Sequence, residues 1–599
     1  MQCIRICRLV TDLKKSNNIF KQYHKELDNN LTIDLLNLSS AHTSLLNSIS
    51  IDIKKDYNLL IRNILEKTDK RIHWIVCPLI SRNNWFGTLF MDLCYVELVK
   101  NVFANENITK FILPSNRVKV TLKTFFKDSD KFSFIVVESR FSEFFNSALL
   151  FCKSFIKNIL TSFVLLLNSN TKNRKSILNL NRQFTLVDTY VTNSEFKNGK
   201  YKSRFYNKAN FWNNINKNLK NDLFFVPELE FSVKQILSSS LTNSIKGLNN
   251  SEENFLFKHD FLNVQDFFFA LLAPFKTLNY DFSKITFRGF NISTLLKYDL
   301  KRNLQNTNSF YGILNYRFLK NLKSKNVELK KIILWFENQP SDKGFSAGVK
   351  DFFPNIIFKG FQNFVVSYHY NHHLIPTVYE SELKIIPNEI LVIGKKIIPL
   401  IKEFNKDLNV SLAPGLRFQH LYNIKREKEI SNIIFICLPM DLKAAINIIN
   451  VSSDFLTSLS GYNLFLRPHP NTDLKSIIKL YPTFFSNIKI VNDNLDAYLK
   501  KSKVLISAAS TICFESIACG IPTIVIEIKS ELNRNPIPYG INPIIWRVCY
   551  EKSAFIKSIN LFLSYGIKDL KKLIIFSNEL KRNYFKKVTK ENVNFFVKN

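Results

Sequence analysis

Short apolar runs rich in Ile, Val, Leu and Phe recur along this chain, with amphipathic stretches between them. From near Asn432 they read IIFICLP, YNLFL, IKIVND, KVLISA and PTIVIE. Earlier, from Arg71, they read IHWIVCPLI, ITKFILP and FSFIVVES, then KKIILWFE, NIIFKGF and EILVIG. Strands that are apolar throughout are buried on both faces, and parallel strands need a crossover, usually a helix, to return the chain to the same edge. The alternation predicts an α/β chain of two Rossmann-like domains facing an interdomain crevice, with extra helices. A chain of 599 residues exceeds what one core holds.

Boundaries follow from the same pattern. Residues 1–70 are polar with helical patches and read as an N-terminal extension without legible chemistry. Residues 71–400 read as the first domain, with a helical insertion around 143–330 that includes DFFFALLAPF. Residues 401–430 connect to a second domain over 431–551, and 552–599 are basic amphipathic helices.

The chain carries 83 Lys+Arg against 49 Asp+Glu, a net charge of +34 that points to anionic partners such as phosphates, a lipid surface or nucleic acid. Lys, Asn, Ile and Phe are all abundant beside only 14 Gly, so AT-rich coding accounts for part of that charge. No basic motif with interleaved aromatics supports nucleic acid. The cysteines are scattered; Cys3 and Cys7 lack a second pair, which argues against a zinc site or disulfide framework and for reduced cytosolic thiols. The N-terminus, MQCIRICRLVTDLKKSNN, lacks the apolar core of a signal peptide. The most apolar stretch, ALLFCKSFIKNILTSFVLLL (148–167), is interrupted by Lys153 and Lys157 and falls short of the roughly 18–20 residues of a membrane span. It is expected as a buried core helix first, and as a helix lying on a membrane second.

In open parallel sheets, ligands bind beyond the carboxyl ends of the strands. That rule singles out FLRPHPNTD, residues 465–473. The prolines flanking His469 forbid helix and ladder alike, so a stiff turn presents Arg467 and His469 to the crevice. A companion stretch, LISAASTICFESIACGIPTIVIE (505–527), reads strand, small-residue loop, helix, strand. Ser507, Ser510 and Thr511 supply hydroxyls there, and the helix entrance adds amides and a favourable dipole. The dipole contributes about 0.3–2 kcal/mol, whereas micromolar binding needs about 8 kcal/mol. Arg467 and His469 are therefore expected on the same phosphate. Glu515, one turn beyond Thr511, is placed to accept bonds from ribose hydroxyls. Read singly, the loop is an N-cap, the histidine is structural and Glu515 faces solvent; together, on adjacent units of one sheet, they read as a nucleotide-phosphate site.

In the first half, ILWFENQPSDKGFSAGVKDFFPNIIFKGFQ (333–362) runs from a strand straight into Glu337. Transfer to a hydroxyl needs a base and stabilisation of the leaving phosphate. Glu337 is the candidate base, with Asp188 and Glu138 behind it, although a helix-start carboxylate fits Glu337 too. Arg417, beside the Pro-Gly turn of SLAPGLRF (411–418), reads either as an anion contact or as a solvated side chain. YHYNHH (368–373) holds three of the 9 histidines without a carboxylate spaced to complete a metal site, so no metal is expected.

The pair LRPHPN and ISAASTICFESIACGIPTIVIE resembles the C-terminal half of GT-B glycosyltransferases of bacterial surface carbohydrate (O-antigen, capsule, lipopolysaccharide) biosynthesis. Similar elements occur in CMP-sugar transferases and glycerophosphate polymerases. An F-E-x-Q-x-x-x-K element followed by G-x-Q resembles the same group, matched by Glu337, Gln339, Lys343, Gly360 and Gln362; Asn363 stands where relatives commonly carry His. Residues 186–206 resemble it more weakly. The resemblance implies a GT-B-like fold, with donor phosphate at His469 and the Ser507–Thr511 loop and the nucleoside near Glu515. Gln339, Lys343, Gly360 and Gln362, with Arg417 from its place beside the interdomain connection, are expected in acceptor-side or supporting roles. The donor would be a nucleotide-activated sugar used as substrate, with no cofactor. The acceptor would be a lipid-linked or oligosaccharide glycan, met in the cytoplasm at the anionic inner membrane face. A CDP-alditol phosphotransferase and a noncatalytic GT-B-like scaffold share this architecture, and a nucleotide-sugar epimerase is a lesser alternative.

Overall fold

A computed structural model describes residues 32–598 apart from 107, 127–130, 138–139, 181, 198–199, 284, 427–430, 494 and 539. Cys3, Cys7 and Glu138 lie outside the described residues.

Three parallel sheets organise the chain. The smallest joins β1 (Thr32–Asp34), β2 (Lys110–Leu113) and β3 (Ser133–Val136), with β2 in the middle. Helices α1 (Ser40–Asp52), α2 (Lys54–Glu66) and α3 (Leu89–Asn105) share its core through Leu46, Leu60 and Phe90. Residues 32–70, expected as an extension, are thus an integral part of this unit. IHWIVCPLI is not the expected strand: it forms two one-turn helices, Ile72–Ile75 and Pro78–Ser81, the second opened by its proline. A run buried all round has no periodicity to separate strand from helix.

The long helix α4 (Arg140–Leu167) follows, and it is not the expected core helix, because an apolar 18-residue window within Phe144–Leu167 is only 22 % buried. The second sheet contains β4 (Phe184–Val191), β5 (Leu223–Leu229), β6 (Leu329–Trp335), β7 (Ile357–Gln362), β8 (Glu389–Val392) and β9 (Val410–Leu412) in the order β9-β8-β7-β6-β4-β5, all parallel. Helices α5 (Val264–Leu272), α6 (Asn308–Ser324) and α7 (Pro340–Phe352) belong to this unit. The last two cross with their backbones almost touching: a Cβ on Gly344 would lie 1.9 Å from the Gly312 carbonyl oxygen.

The third sheet contains β10 (Ile433–Cys437), β11 (Asn463–Arg467), β12 (Lys489–Ile490), β13 (Ser502–Ser507), β14 (Thr523–Ile526) and β15 (Trp546–Cys549) in the order β12-β11-β10-β13-β14-β15, again all parallel. Its helices are α8 (Leu442–Ser458), the two-turn α9 (Ile512–Ala518), α10 (Lys552–Leu563) and α11 (Ile567–Tyr584). The final helix, α12 (Lys590–Lys598), returns to the second sheet: Lys331 Nζ donates to the Val597 carbonyl at 2.9 Å, and Phe361 packs on Phe596.

Counted from its own first strand, the third sheet runs 3-2-1-4-5-6, the doubly wound order whose chain reversal lies between its first and fourth strands. The second sheet reverses between β4 and β6. Such reversals open a cleft at the carboxyl edge because the helices on either side diverge there. Two Rossmann-like domains face a crevice in a GT-B-like arrangement, with the small first sheet added beside them.

Candidate functional site

A cavity of about 370 Å³ opens between the domains at the carboxyl edge of β10, β11 and β13. The register pairs Cys437 with Arg467, so the loops that follow β10 and β11 leave the sheet at the same level. Main-chain bonds tie those loops together: Leu438 N–H donates to Arg467 O at 2.9 Å, and His469 N–H donates to Leu438 O at 3.1 Å. Thr472 Oγ1 donates to Pro439 O at 2.9 Å. The RPHP turn is therefore rigid. The Asn471 amide donates to His469 Nδ1 at 3.2 Å, which makes Nδ1 an acceptor and leaves the proton of a neutral ring on Nε2. Partial burial, with help from the Arg204 charge, lowers the His469 pKa and favours that neutral form. Arg467 donates to the Asp493 carbonyl at the rim.

Ser510 and Thr511 line the same cavity, and Thr511 makes no side-chain cap bond to α9. Ser507 does not reach it: buried between strands, its hydroxyl donates to the Cys437 carbonyl at 2.7 Å and joins β13 to β10. The helix behind the loop spans only Ile512–Ala518, so the side chains dominate over the dipole expected from the sequence. Glu515 lines the cavity floor and accepts from His420 Nε2 at 3.2 Å. Burial works against the His420 charge, but the Glu515 bond and charge raise its pKa above the ordinary value. Arg417 also lines the cavity; burial lowers its pKa, while Glu515 and Glu337 support its charge.

Two lining residues escaped the sequence reading. Trp85, in the small-sheet unit, is 53 % exposed at the cavity wall, and its Nε1 donates to Asn371 Oδ1 at 2.6 Å. Arg534, in the loop after β14, lies 5.3 Å from the Trp85 ring centre and 5.0 Å from that of Tyr370. Arg534 also pairs with Asp441 at 3.0 Å. Its loop follows a third-sheet strand at the crevice edge, and that position was the available signal. With Arg417, Arg467 and Arg534 against Glu515, the walls are net positive.

None of the first-domain motif residues lines the cavity; Glu337 interacts electrostatically with the cavity residue Arg417, and the others are structural. Glu337 lies two residues beyond β6, at the second sheet's reversal. Its carboxylate accepts from Trp335 Nε1 at 2.8 Å and from Gln339 Nε2, and burial raises its pKa while Arg417 opposes the rise. Gln339 itself is the N-cap of α7, closed by Asp342. Lys343 is fully buried in a salt bridge with Glu380, which Arg82 also contacts at 2.7 Å, and its Nζ donates to Asn338 Oδ1 at 3.0 Å. Gly360 leaves room for Phe336 and Pro387. Gln362 donates to the Leu374 carbonyl at 3.1 Å, and the buried Asn363 amide has no partner at either atom. Lys343, Gly360 and Gln362 are thus packing residues rather than cavity walls. Asp188 does not line the cavity either: it is buried in mid-strand, 4.0 Å from Lys258, with burial pushing its pKa up to about 7.

Among the described residues, no three His, Cys, Asp or Glu side chains converge as a metal site. His369 meets Ser50 Oγ at 2.7 Å, and His372 packs on Phe90 with neither ring nitrogen partnered. Both line the interior.

No family model and no curated protein matches this sequence. Solved structures do align with it. A Staphylococcus aureus MnaA–UDP structure has a TM-score of 0.41 at 10 % identity, covering 69 % of this chain and 97 % of that one. A UDP-GlcNAc 2-epimerase from Neisseria meningitidis, bound to UDP-GlcNAc, has 0.39 at 10 %, with 69 % and 98 % covered. The lipopolysaccharide outer core galactosyltransferase WaaB has 0.37 at 11 %, with 70 % and 100 % covered. Likeness at this level carries no argument about chemistry, which rests on the crevice itself.

Proposed function

We propose that this chain is a glycosyltransferase that moves a sugar from a nucleotide-activated donor to a glycan acceptor. The observation that carries the reading is the convergence of Arg467, His469, Ser510, Thr511 and Arg417 on one cavity at the reversal of the third sheet. His469 Nε2–H, the two hydroxyls and the guanidinium groups are donors suited to a nucleotide's phosphates. Glu515 stands beside them as an acceptor for ribose hydroxyls.

In the proposed reaction the acceptor oxygen bonds to the anomeric carbon, the bond from that carbon to the phosphate oxygen breaks, and the acceptor proton passes to Glu337. The negative charge that develops on the departing phosphate falls among the cavity's donors. A raised pKa makes Glu337 a stronger base than an exposed carboxylate. The motif resemblance supports a lipid-linked acceptor in bacterial surface polysaccharide synthesis. Trp85, exposed yet fixed by Asn371 and Arg534, offers a flat apolar face for an acceptor sugar ring.

The test is incubation with UDP-, GDP- and CMP-activated sugars, with and without a lipid-linked glycan acceptor. Free nucleotide released only with acceptor present, together with a lengthened glycan, is the expected result. An epimerised nucleotide sugar formed without acceptor, or a phosphate retained in the product, overturns it.

A further inference from the structure

The helix α4 is apolar on its outer face as well as on its inner one, where Leu160, Val164 and Leu165 pack against the core. Phe145, Leu149, Ile156, Ile159, Phe163 and Leu167 recur at three-, four- and seven-residue spacings, which places them on one face, and all are exposed. Phe163 is 60 % exposed. The polar residues Ser154, Asn158, Thr161 and Ser162 point inward beside Leu160, Val164 and Leu165. Ser154 Oγ donates to the Gln305 carbonyl, and Ser162 Oγ to the Asn158 carbonyl at 2.8 Å. A helix in contact with water alone places its apolar stripe inward. Beside it, α5 repeats the pattern: Val264, Phe268 and Leu272 are exposed at successive four-residue steps. The stripe from Phe145 to Leu167 is about 33 Å long.

We propose that this paired apolar face docks on the surface of an anionic lipid bilayer. Charge selects that occupant. From Phe144 to Leu167 α4 has no acid, and the one acid of α5, Asp266, is buried against Arg317; the exposed Glu230 interacts with Lys157. Lys153 on α4, Lys234 on the adjoining turn of helix Val233–Leu237 and Lys276 after α5 are exposed at its margins. A second copy would bring +34 against +34, whereas anionic headgroups complement it. Lys153 and Lys157 interrupt the apolar run, which favours lying in the interface over crossing it. The crevice plays no part in this contact, so failure here leaves the nucleotide reading intact and the converse holds.

The test is co-sedimentation of the full chain with phosphatidylcholine vesicles, with and without phosphatidylglycerol. The chain is expected to bind the mixed vesicles, more weakly as salt rises, and Ile156→Glu/Phe163→Glu/Phe268→Glu to lose at least about tenfold in partitioning. These side chains already face solvent, so the thermal midpoint should hold. As a second readout, Phe163→Trp should bind and shift its emission to the blue on mixing. Wild type that stays in the supernatant, a triple variant that pellets equally, or a wild-type dimer that the same substitutions render monomeric overturns the proposal.

Discussion

The main-chain amide of Asn471 donates to Nδ1 of His469 at 3.2 Å, and this bond orients the imidazole that faces the crevice. Nε2 is then the protonated nitrogen near neutral pH, poised to donate to a phosphate oxygen. Nitrogen chemical shifts of His469 should report a neutral ring with its proton on Nε2. A dominant Nδ1–H tautomer would contradict the geometry.

Glu337 sets the expected pH response of turnover. Its pKa is raised above 4.5 by burial, and the base works as a carboxylate, so kcat/KM should fall on acidification at a pH above the ordinary carboxylate range. Arg417 lowers that pKa, so Arg417→Ala should move the acid limb further up. Glu337→Gln should cost about 10²–10⁴-fold in kcat, the span of general acid–base catalysis, with nucleotide affinity unchanged. A variant that keeps full turnover removes Glu337 from the mechanism.

Lys343, Glu380 and Arg82 form a buried charge cluster whose role is stability. Against the cost of burial, Arg82 and Lys343 hold the Glu380 pKa down to about 2 from 4.5. A depressed carboxylate contributes stability above its unfolded pKa and loses it as pH falls through the folded one. Calorimetric unfolding should therefore show stability declining between about pH 4.5 and 2, a decline that Glu380→Gln flattens. Lys343→Met leaves Glu380 with one partner fewer and should destabilise by about 3–5 kcal/mol.

Trp85 and Arg534 should act on the acceptor. Trp85→Ala is expected to raise the acceptor KM about tenfold, the scale of one lost aromatic contact, while donor affinity is kept. Equal losses for donor and acceptor would place Trp85 on the nucleotide instead.

The sequence made the third sheet legible because two of its strands end in loops with distinctive chemistry, RPHP after one and SAAST after the other. The second sheet was harder to read. β4 carries Asp188 in the middle of FTLVDTYV, and a buried ion partner, Lys258, is invisible to a periodicity argument. The FENQPSDK element was legible as important but not in kind: Asp342 caps α7 and Lys343 fills a buried pair, so only Glu337, through its interaction with Arg417, is linked to the cavity. Ser507 looked like part of the loop because sequence alone does not show which way the last residue of a strand points. Trp85 and Arg534 come from separate units and meet only through the tertiary fold.

The central claim, that nucleotide phosphates bind at the RPHP turn, is tested most directly by calorimetric titration of UDP, CMP, CDP, GDP and ADP into wild type and His469→Ala. One nucleotide should bind wild type near micromolar affinity and about 10–100-fold more weakly to the variant, the loss of one hydrogen bond to a charged group. No binding to wild type at millimolar concentration, or the same affinity in both proteins, would contradict the account.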